Sequence, residues 1–200
     1  MTQGVGGSTA ERELAHLADR ASGVTPITSA QRRSRIEKAV QFMRALDVPA
    51  LVLPPGSSLF YFTGLRWGAS ERLTAAVLNW HGELDYVAPA FEVATLSEAQ
   101  HLEGRIHGWE EHENPYELVA SVLGEIASAG RSMALDEAAP FFIAEGLRAA
   151  MPGARLINGV AVTRECRMRK SPGEIALLRT AKQITLEVQR RAARILRPGI

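Results

Sequence analysis

Short apolar segments of strand length alternate along this sequence with longer segments whose apolar residues recur three and four positions apart. The first pattern is typical of buried β-strands and the second of amphipathic helices. The turn His81-Gly82-Glu83 separates two strand-like runs and predicts a β-hairpin. Strands are predicted at residues 49–53, 72–80, 84–87, 106–109, 133–135 and 155–157, and helices at residues 28–46, 91–100, 115–126 and 141–150. This order predicts an α/β fold with a mixed β-sheet flanked by helices.

Two segments carry the signature of a capping box. In this motif a Ser or Thr hydroxyl and the side chain of a Glu or Gln three residues later accept hydrogen bonds from backbone N–H groups at the start of a helix. Thr28 with Gln31 predicts the start of the helix over residues 28–46. Ser8 with Glu11 predicts a shorter helix before it, extending through Ala18.

The last segment of the sequence predicts one long amphipathic helix that begins near Ser171 and Pro172. One face of this helix is apolar, whereas the opposite face carries several arginines. The apolar positions are Ile175, Leu177, Leu178, Ala181, Ile184, Val188, Ala192, Ile195 and Leu196. Such a stripe needs cover, so we expect it either to pack against this domain or to meet a partner.

Bulk composition excludes several classes of protein. The 200 residues contain 23 basic and 22 acidic side chains, a net charge of +1, so no global field attracts nucleic acid or an anionic membrane. The single cysteine, Cys166, excludes an internal disulfide and suits a reducing compartment. We find no signal peptide and no apolar run of about 18 residues. We therefore expect a cytoplasmic protein that binds neither nucleic acid nor a membrane.

A search for catalytic motifs finds none. Gly4, Gly6 and Gly7 do not follow a strand as a phosphate-binding loop requires, so they favour a flexible tail. Cys166 lies among arginines that could lower its pKa, but a nucleophilic cysteine also needs a paired base, and an unreactive cysteine is favoured. No catalytic residue is predicted.

The densest group of potential metal ligands comprises two histidines and three glutamates within seven residues. They are His107, Glu110, Glu111, His112 and Glu113. A metal site needs three or four ligands that converge, whereas this segment reads as the end of a strand running into a solvated loop. No metal site is predicted.

One connecting segment, residues 60–72, combines aromatic side chains, a glycine and two arginines. Arg66, Trp67, Glu71 and Arg72 are the candidate substrate-binding residues, since arginine and tryptophan can together hold a carboxylate and an apolar ring. The alternative is structural, with Trp67 filling the core of its own domain and Arg72 paired with Glu71. The sequence favours neither of the two interpretations.

Three arginines, Arg32, Arg33 and Arg35, lie close together on the helix predicted over residues 28–46. They could form a binding patch, but a solvated helix face is the favoured interpretation.

Four segments occur in an order that resembles the creatinase, prolidase and aminopeptidase P family. They are Tyr61-Phe62-Thr63-Gly64, Ser70-Glu71-Arg72-Leu73, Pro89-Ala90-Phe91-Glu92 and residues 167–175, which contain Lys-Ser-Pro-Gly-Glu-Ile. The resemblance covers residues 29–200. It implies a creatinase-like, ribonuclease H-like N-terminal domain at residues 28–160, preceded by an extension at residues 1–27. Residues 161–200 would then be a linker and the first helix of a "pita-bread" catalytic domain.

The resemblance also implies the chemistry of the full-length protein. Family members hydrolyse with a dinuclear divalent-metal centre (Mn, Co or Zn) held by two aspartates, a histidine and two glutamates of the pita-bread domain. None of these ligands can be assigned to this chain, so the 200 residues are expected to lack cofactor and activity. Asp136 and the Glu110-Glu111 pair lie in the wrong domain to replace them.

By this resemblance, the chain is expected to govern substrate access and homodimer formation in an Xaa-Pro aminopeptidase or prolidase-like metallopeptidase that acts on proline-containing peptides. Arg66, Trp67, Glu71 and Arg72 would contribute to closing the active site. Two alternatives stay open. The fold could serve as a non-catalytic protein-interaction module, as in a histone-chaperone relative, or belong to a creatinase-like hydrolase of small non-peptide substrates.

Overall fold

The computed structural model describes residues 6–128 and 130–196. Gly4 and the last four residues of the predicted C-terminal segment therefore lie outside the described residues. The chain divides into two compact units. One comprises residues 28–169, and the other comprises the N-terminal segment up to residue 27 together with the C-terminal segment from residue 170.

A six-stranded mixed sheet forms the centre of the unit at residues 28–169. Its strands are β1 (Ala50–Leu53), β2 (Ala75–Asn79), β3 (Leu84–Pro89), β4 (Arg105–Trp109), β5 (Ser132–Leu135) and β6 (Arg155–Asn158). They lie in the order β4-β3-β2-β1-β5-β6. Strand β2 is antiparallel to both of its neighbours, β1 and β3, whereas the other adjacent pairs are parallel. The predicted hairpin and the mixed sheet are confirmed.

The helices include two that the sequence pattern did not identify. They are α1 (Ala10–Leu14), α2 (Ser29–Ala45), α3 (Ser57–Thr63), α4 (Val93–Ala99), α5 (Pro115–Leu123), α6 (Glu125–Ser128), α7 (Phe141–Ala150), α8 (Val160–Arg167) and α9 (Pro172–Ile195). Residues 60–63, at the aromatic start of the predicted connecting segment, belong to α3, and α8 lies in the stretch interpreted as a linker. Both helices have only two turns, too short for apolar spacing to identify them.

Strand β1 lies at the centre of the sheet and contributes to both of its faces. Leu51 and Leu53 pack into one apolar cluster with side chains of α2, α3, α4 and α8, whereas Ala50 and Val52 pack into a second cluster with side chains of α5 and α7. All four residues are fully buried. A strand covered on both faces reads as a continuous apolar run, which is why residues 49–53 show no alternation.

The capping prediction for α2 is confirmed, and that for α1 is wrong. The Thr28 side chain accepts from the Gln31 backbone N–H while the Gln31 side chain accepts from the Thr28 backbone N–H. In α1 the N-cap is Thr9, whose extended backbone lets its hydroxyl oxygen accept from the Arg12 N–H, and the helix already ends at Leu14. The cap thus lies one residue later than the Ser8 signature predicted.

In the second unit, α1 packs against α9 through ion pairs. The buried carboxylate of Glu13 contacts the Arg191 guanidinium at 3.1 Å, and Arg191 also contacts Glu187 one turn earlier on α9. None of the residues of α9 is buried. The side chains of Ile175, Leu178, Leu186 and Val188 are exposed. No helix in the described part of the chain combines the length and the apolar composition needed to cross a membrane.

The C-terminal end of α3 depends on two arginines of α2. Arg32 donates to the Phe60 carbonyl at 2.8 Å, and Arg35 donates to the Tyr61 carbonyl at 2.7 Å, so both satisfy carbonyls of the last turn. Arg32 is 6% exposed, and burial lowers the pKa of its guanidinium. The prediction that Arg32, Arg33 and Arg35 form one solvated face is therefore wrong for Arg32. It failed because α3, which Arg32 caps, was not identified as a helix.

We expect Gly64→Ala to lower the free energy of unfolding by about 1–3 kcal/mol. Gly64 ends α3 with φ of +83°, and an added Cβ would lie 2.7 Å from the Nε of Arg32. Urea denaturation of the chain measures the change. Gly68→Ala is the matched control, because a Cβ there meets no atom within 4 Å. An equal effect of both substitutions would contradict this account of Gly64.

We expect Cys166 to be unreactive in the folded chain. It is buried in the core cluster of α2 and α3, and burial raises the pKa of its thiol to about 11 from the ordinary value of 9.0. At pH 8 this shift alone reduces the thiolate fraction about 100-fold, so a disulfide reagent should react far more slowly with folded than with urea-unfolded protein. Equal rates would contradict the burial.

The same shift gives the sign of the pH dependence. Because the folded state holds the thiol proton more tightly, this contribution to stability is complete below about pH 9 and is lost as the pH rises through about 11.

Candidate functional site

The segment between α3 and β2 is anchored at both ends. Leu65 and Leu73 are each 1% exposed, so the candidate loop, residues 66–72, leaves and re-enters the core at fixed points. At its start the Thr63 hydroxyl donates to the Leu59 carbonyl at 2.7 Å and accepts from the Leu65 N–H at 3.1 Å. Gly64 then turns the chain through a left-handed conformation. These contacts give Thr63 and Gly64 a structural role at the end of α3.

Arg66 and Phe60 form the exposed part of this region. The Arg66 guanidinium lies 5.1 Å from the centroid of the Phe60 ring, and the buried Arg32 guanidinium lies 5.2 Å from the same centroid. Phe60 is 40% exposed. The attraction of guanidinium groups to an aromatic ring orients Arg66 beside an apolar surface. A guanidinium held in this way can receive a carboxylate from solution.

Trp67 is half-buried and packs against the core cluster that contains α2 and α3. A rigid aromatic side chain that is partly packed and partly exposed presents a fixed apolar surface at the position of the loop. The packed part of the Trp67 ring agrees with the structural interpretation, and its exposed part is available for binding.

Arg72 is held by two carboxylates. Its Nε lies 2.6 Å from Glu111 and its Nη1 lies 2.5 Å from Glu71, and the guanidinium is 5.7 Å from the Phe91 ring centroid. The hydrogen bond with Glu111 is the largest cause that raises the pKa of Arg72. The end of the loop is thus tied to the segment that follows β4, a contact that the sequence did not predict because the residues lie far apart in the chain.

The side chains of Glu71 and Arg72 form an ion pair, and Arg72 lies near the Phe91 ring. Arg66 lies apart from them, near the Phe60 ring. The Glu71 side chain is 77% exposed. The ion pair between Arg72 and Glu71 agrees with the structural interpretation of this segment. Arg66 and Phe60 are exposed and remain available to bind a ligand. The substrate-binding role of Arg66, Trp67, Glu71 and Arg72 stays a prediction.

Three of the five candidate ligands around residue 110 make contacts with other residues. His107 Nε2 lies 2.8 Å from Asp85 Oδ1 across the β3–β4 pair. Glu111 pairs with Arg72, and the Glu113 carboxylate accepts from the Glu110 backbone N–H. Within residues 6–128 and 130–196, no three of the His, Cys, Asp and Glu side chains converge so as to hold a metal ion.

Helix α8 holds α3 through two contacts that the sequence pattern does not predict. The Tyr61 hydroxyl donates to the Cys166 carbonyl at 2.8 Å, and Arg167 donates to the Ser58 hydroxyl at 2.9 Å. Both contacts join the end of α8 to α3, whose C-terminus starts the loop. The only sequence signal was the arginine-rich stretch before Lys170, which was interpreted as a linker.

A buried acidic group lies at the carboxyl end of β5. Asp136 is 8% exposed, its Oδ1 accepts from the Ala138 N–H at 3.0 Å, and burial raises the pKa of its carboxyl. The nearby Ser58 hydroxyl opposes this shift. Asp136 therefore belongs to the packing between β5 and α3, apart from the candidate loop.

Comparison with known proteins agrees with this architecture. The sequence profile of the Creatinase/Prolidase N-terminal domain matches residues 35–169. The probable dipeptidase PepE of Mycobacterium tuberculosis (strain ATCC 25618 / H37Rv) is 36% identical over 151 residues, which cover 74% of this chain and 39% of that protein.

Solved structures show the same fold. A prolidase from Thermococcus sibiricus superposes with a TM-score of 0.72 at 26% identity, covering 80% of this chain and 43% of that one. Dipeptidase PepE from Mycobacterium ulcerans gives 0.68 at 26% identity, covering 81% and 50%. The N-terminal domain of an Xaa-Pro dipeptidase from Lactobacillus brevis gives 0.58 at 20% identity and is covered over 99% of its length, against 68% of this chain.

This chain spans half or less of the length of the PepE proteins and of the prolidase, whereas it spans nearly all of the isolated N-terminal domain. The matched residues contain all six strands of the sheet and the helices α3 to α8 that surround it. The chain belongs to the Creatinase/Prolidase N-terminal domain family.

Proposed function

We propose that this chain is the domain that governs substrate access in a peptidase of the dipeptidase and prolidase type. The observation that carries the proposal is the loop at residues 66–72, which is anchored at both ends and presents Arg66 over the Phe60 ring. A surface with a fixed guanidinium beside aromatic rings suits a short peptide, whose carboxylate and apolar side chain it can contact together. The relatives named as dipeptidases and prolidases support this assignment of substrate class.

In this proposal the hydrolytic step belongs to a further domain. The resemblance implies a dinuclear divalent-metal centre of Mn, Co or Zn, and the described residues of this chain do not fit such a centre, because no three candidate ligands converge. The residues of this chain therefore act by binding and by limiting access. Arg66 would receive the carboxylate of a proline-containing peptide, and Trp67 would limit the length of the peptide.

Association of two copies is the second part of the proposal. Helix α9 carries exposed apolar side chains, among them Leu178 and Val188. Covering one such side chain contributes ~1.5–3 kcal/mol, so this stripe supports an interface. Because α9 would be the first helix of the further domain, its stripe supports contact with that domain as well as with a second copy. We propose a homodimer, which the family resemblance implies, as the state in which the loop acts.

In the full-length protein, we expect Trp67→Ala to reduce the preference for dipeptides over tripeptides by about tenfold in kcat/KM, because the ring that limits peptide length is removed. Steady-state kinetics with matched dipeptide and tripeptide substrates measure the ratio. Trp80→Ala is the control, since Trp80 is also half-buried and packs against the same core cluster. A ratio changed equally by both substitutions, or by neither, would remove the loop from the account of function.

We expect the 200-residue chain alone to release no product from Xaa-Pro dipeptides in the presence of Mn²⁺, because it lacks converging metal ligands among its described residues. Product detection by chromatography measures this, with the full-length protein under the same conditions as the positive control. Metal-dependent turnover by a clean preparation of the chain would contradict the division of labour that we propose.

A further inference from the structure

A cleft of about 430 Å³ lies between α2 and the turn that joins β2 to β3. Sites for small molecules in proteins begin at about 300 Å³, so this cleft can hold a ligand. The residues of the candidate loop at 66–72 do not line it. The cleft is therefore separate from the surface discussed above, and nothing in the proposed function uses it.

The floor of the cleft is apolar. It is formed by Ile36 and Val40 of α2, by Leu84 at the start of β3 and by Leu102 before β4. Each of these side chains is at least nine-tenths buried, so the floor is part of the core and does not depend on surface side chains for its shape. An aliphatic side chain of a ligand would remove water from this floor.

The rim of the cleft carries both signs of charge. Arg33 and Glu37 lie on α2, and Glu103 lies in the segment that precedes β4. In the described part of the chain, these three exposed side chains make no ion pair or side-chain hydrogen bond. Charged groups of opposite sign around an apolar floor are complementary to a ligand that itself carries both signs.

Side-chain hydrogen bonds hold α2 and the β2–β3 turn, which form two walls of the cleft. Arg44, on the same helix face as Arg33, donates from its Nε to the Trp80 carbonyl at 3.0 Å and so ties α2 to the end of the hairpin. The Asn79 side chain accepts from the backbone N–H groups of His81 and Glu83, which fixes the turn that forms the second wall. A cleft with tied walls loses little entropy when a ligand binds.

The positions of the charged residues on α2 are consistent with a small ligand. Arg33 and Glu37 are four residues apart on α2, so their Cα atoms lie about 6 Å apart along the helix axis. The ammonium and carboxylate groups of an extended dipeptide are separated by about 7 Å. We propose that this cleft binds a short zwitterionic peptide of dipeptide size, with its carboxylate at Arg33, its ammonium group between Glu37 and Glu103, and an aliphatic side chain on the apolar floor.

The test is a titration of the ¹⁵N-labelled 200-residue chain with Leu-Gly, followed by NMR. We expect saturable shifts of backbone amides at residues 33–44, 81–84 and 102–103, with a dissociation constant on the order of 1 mM, because exposed charge pairs contribute little each. The same peptide with an acetylated N-terminus and an amidated C-terminus should bind at least about tenfold more weakly, since it carries neither charge.

Variants locate the site. Arg33→Gln and Glu103→Gln should each weaken binding by about three- to tenfold. The matched controls Arg155→Gln and Glu98→Gln, which change exposed residues outside the cleft, should leave it unchanged. All four substitutions are at exposed positions, and the amide spectrum of each variant reports directly that it is folded.

Three results would overturn the proposal. The first is the absence of a saturable shift at the cleft up to about 20 mM peptide, a concentration at which a site of this affinity is nearly full. The others are equal binding of the blocked peptide and equal effects of the cleft and control substitutions. The experiment involves no hydrolysis, so its failure would leave the proposed peptidase role intact, and failure of that role would leave the cleft intact.

Discussion

The contact between Arg32 and the end of α3 is the interaction on which the candidate site depends. A buried guanidinium costs free energy unless its N–H groups find acceptors, and here the Phe60 carbonyl is such an acceptor. In return, the last turn of α3 gains a donor for a carbonyl that has no partner within the helix. Only glycine fits at position 64, between the left-handed turn and the Arg32 side chain. The loop that follows thus starts from a point determined by packing between two helices.

Two further contacts hold other parts of the site in place. The Tyr61 hydroxyl joins α3 to the end of α8, and Glu111 holds the far end of the loop through Arg72. The loop is therefore fixed by contacts to three separate parts of the chain. Rigid support of this kind is what a binding surface requires, because a side chain displaced by about 1 Å loses much of its effect on a bound substrate.

The sequence predicted the sheet because the relevant signals are local. The hairpin follows from a glycine turn between two apolar runs, and β1 follows from a short apolar run that ends at Pro54-Pro55-Gly56. Helices α3 and α8 were missed because two turns are too few to show a period. The burial of Arg32 was missed for the same reason, since an arginine on a helix reads as solvated until its acceptors are known. The contacts of Glu111 and Arg167 join residues far apart in the chain and leave no local pattern.

The parallel pairing of β1 with β5 has a consequence for biosynthesis. Val52 of β1 is opposite Leu135 of β5, which lies 83 positions later (135 minus 52). At a translation rate of about 5–20 residues per second, the ribosome needs roughly 4–17 seconds to add the missing neighbour. During that interval β1 can pair with the β2 hairpin on one edge only, and its other edge is open to incorrect partners. One edge of β1 therefore stays without its native partner until β5 has been synthesised.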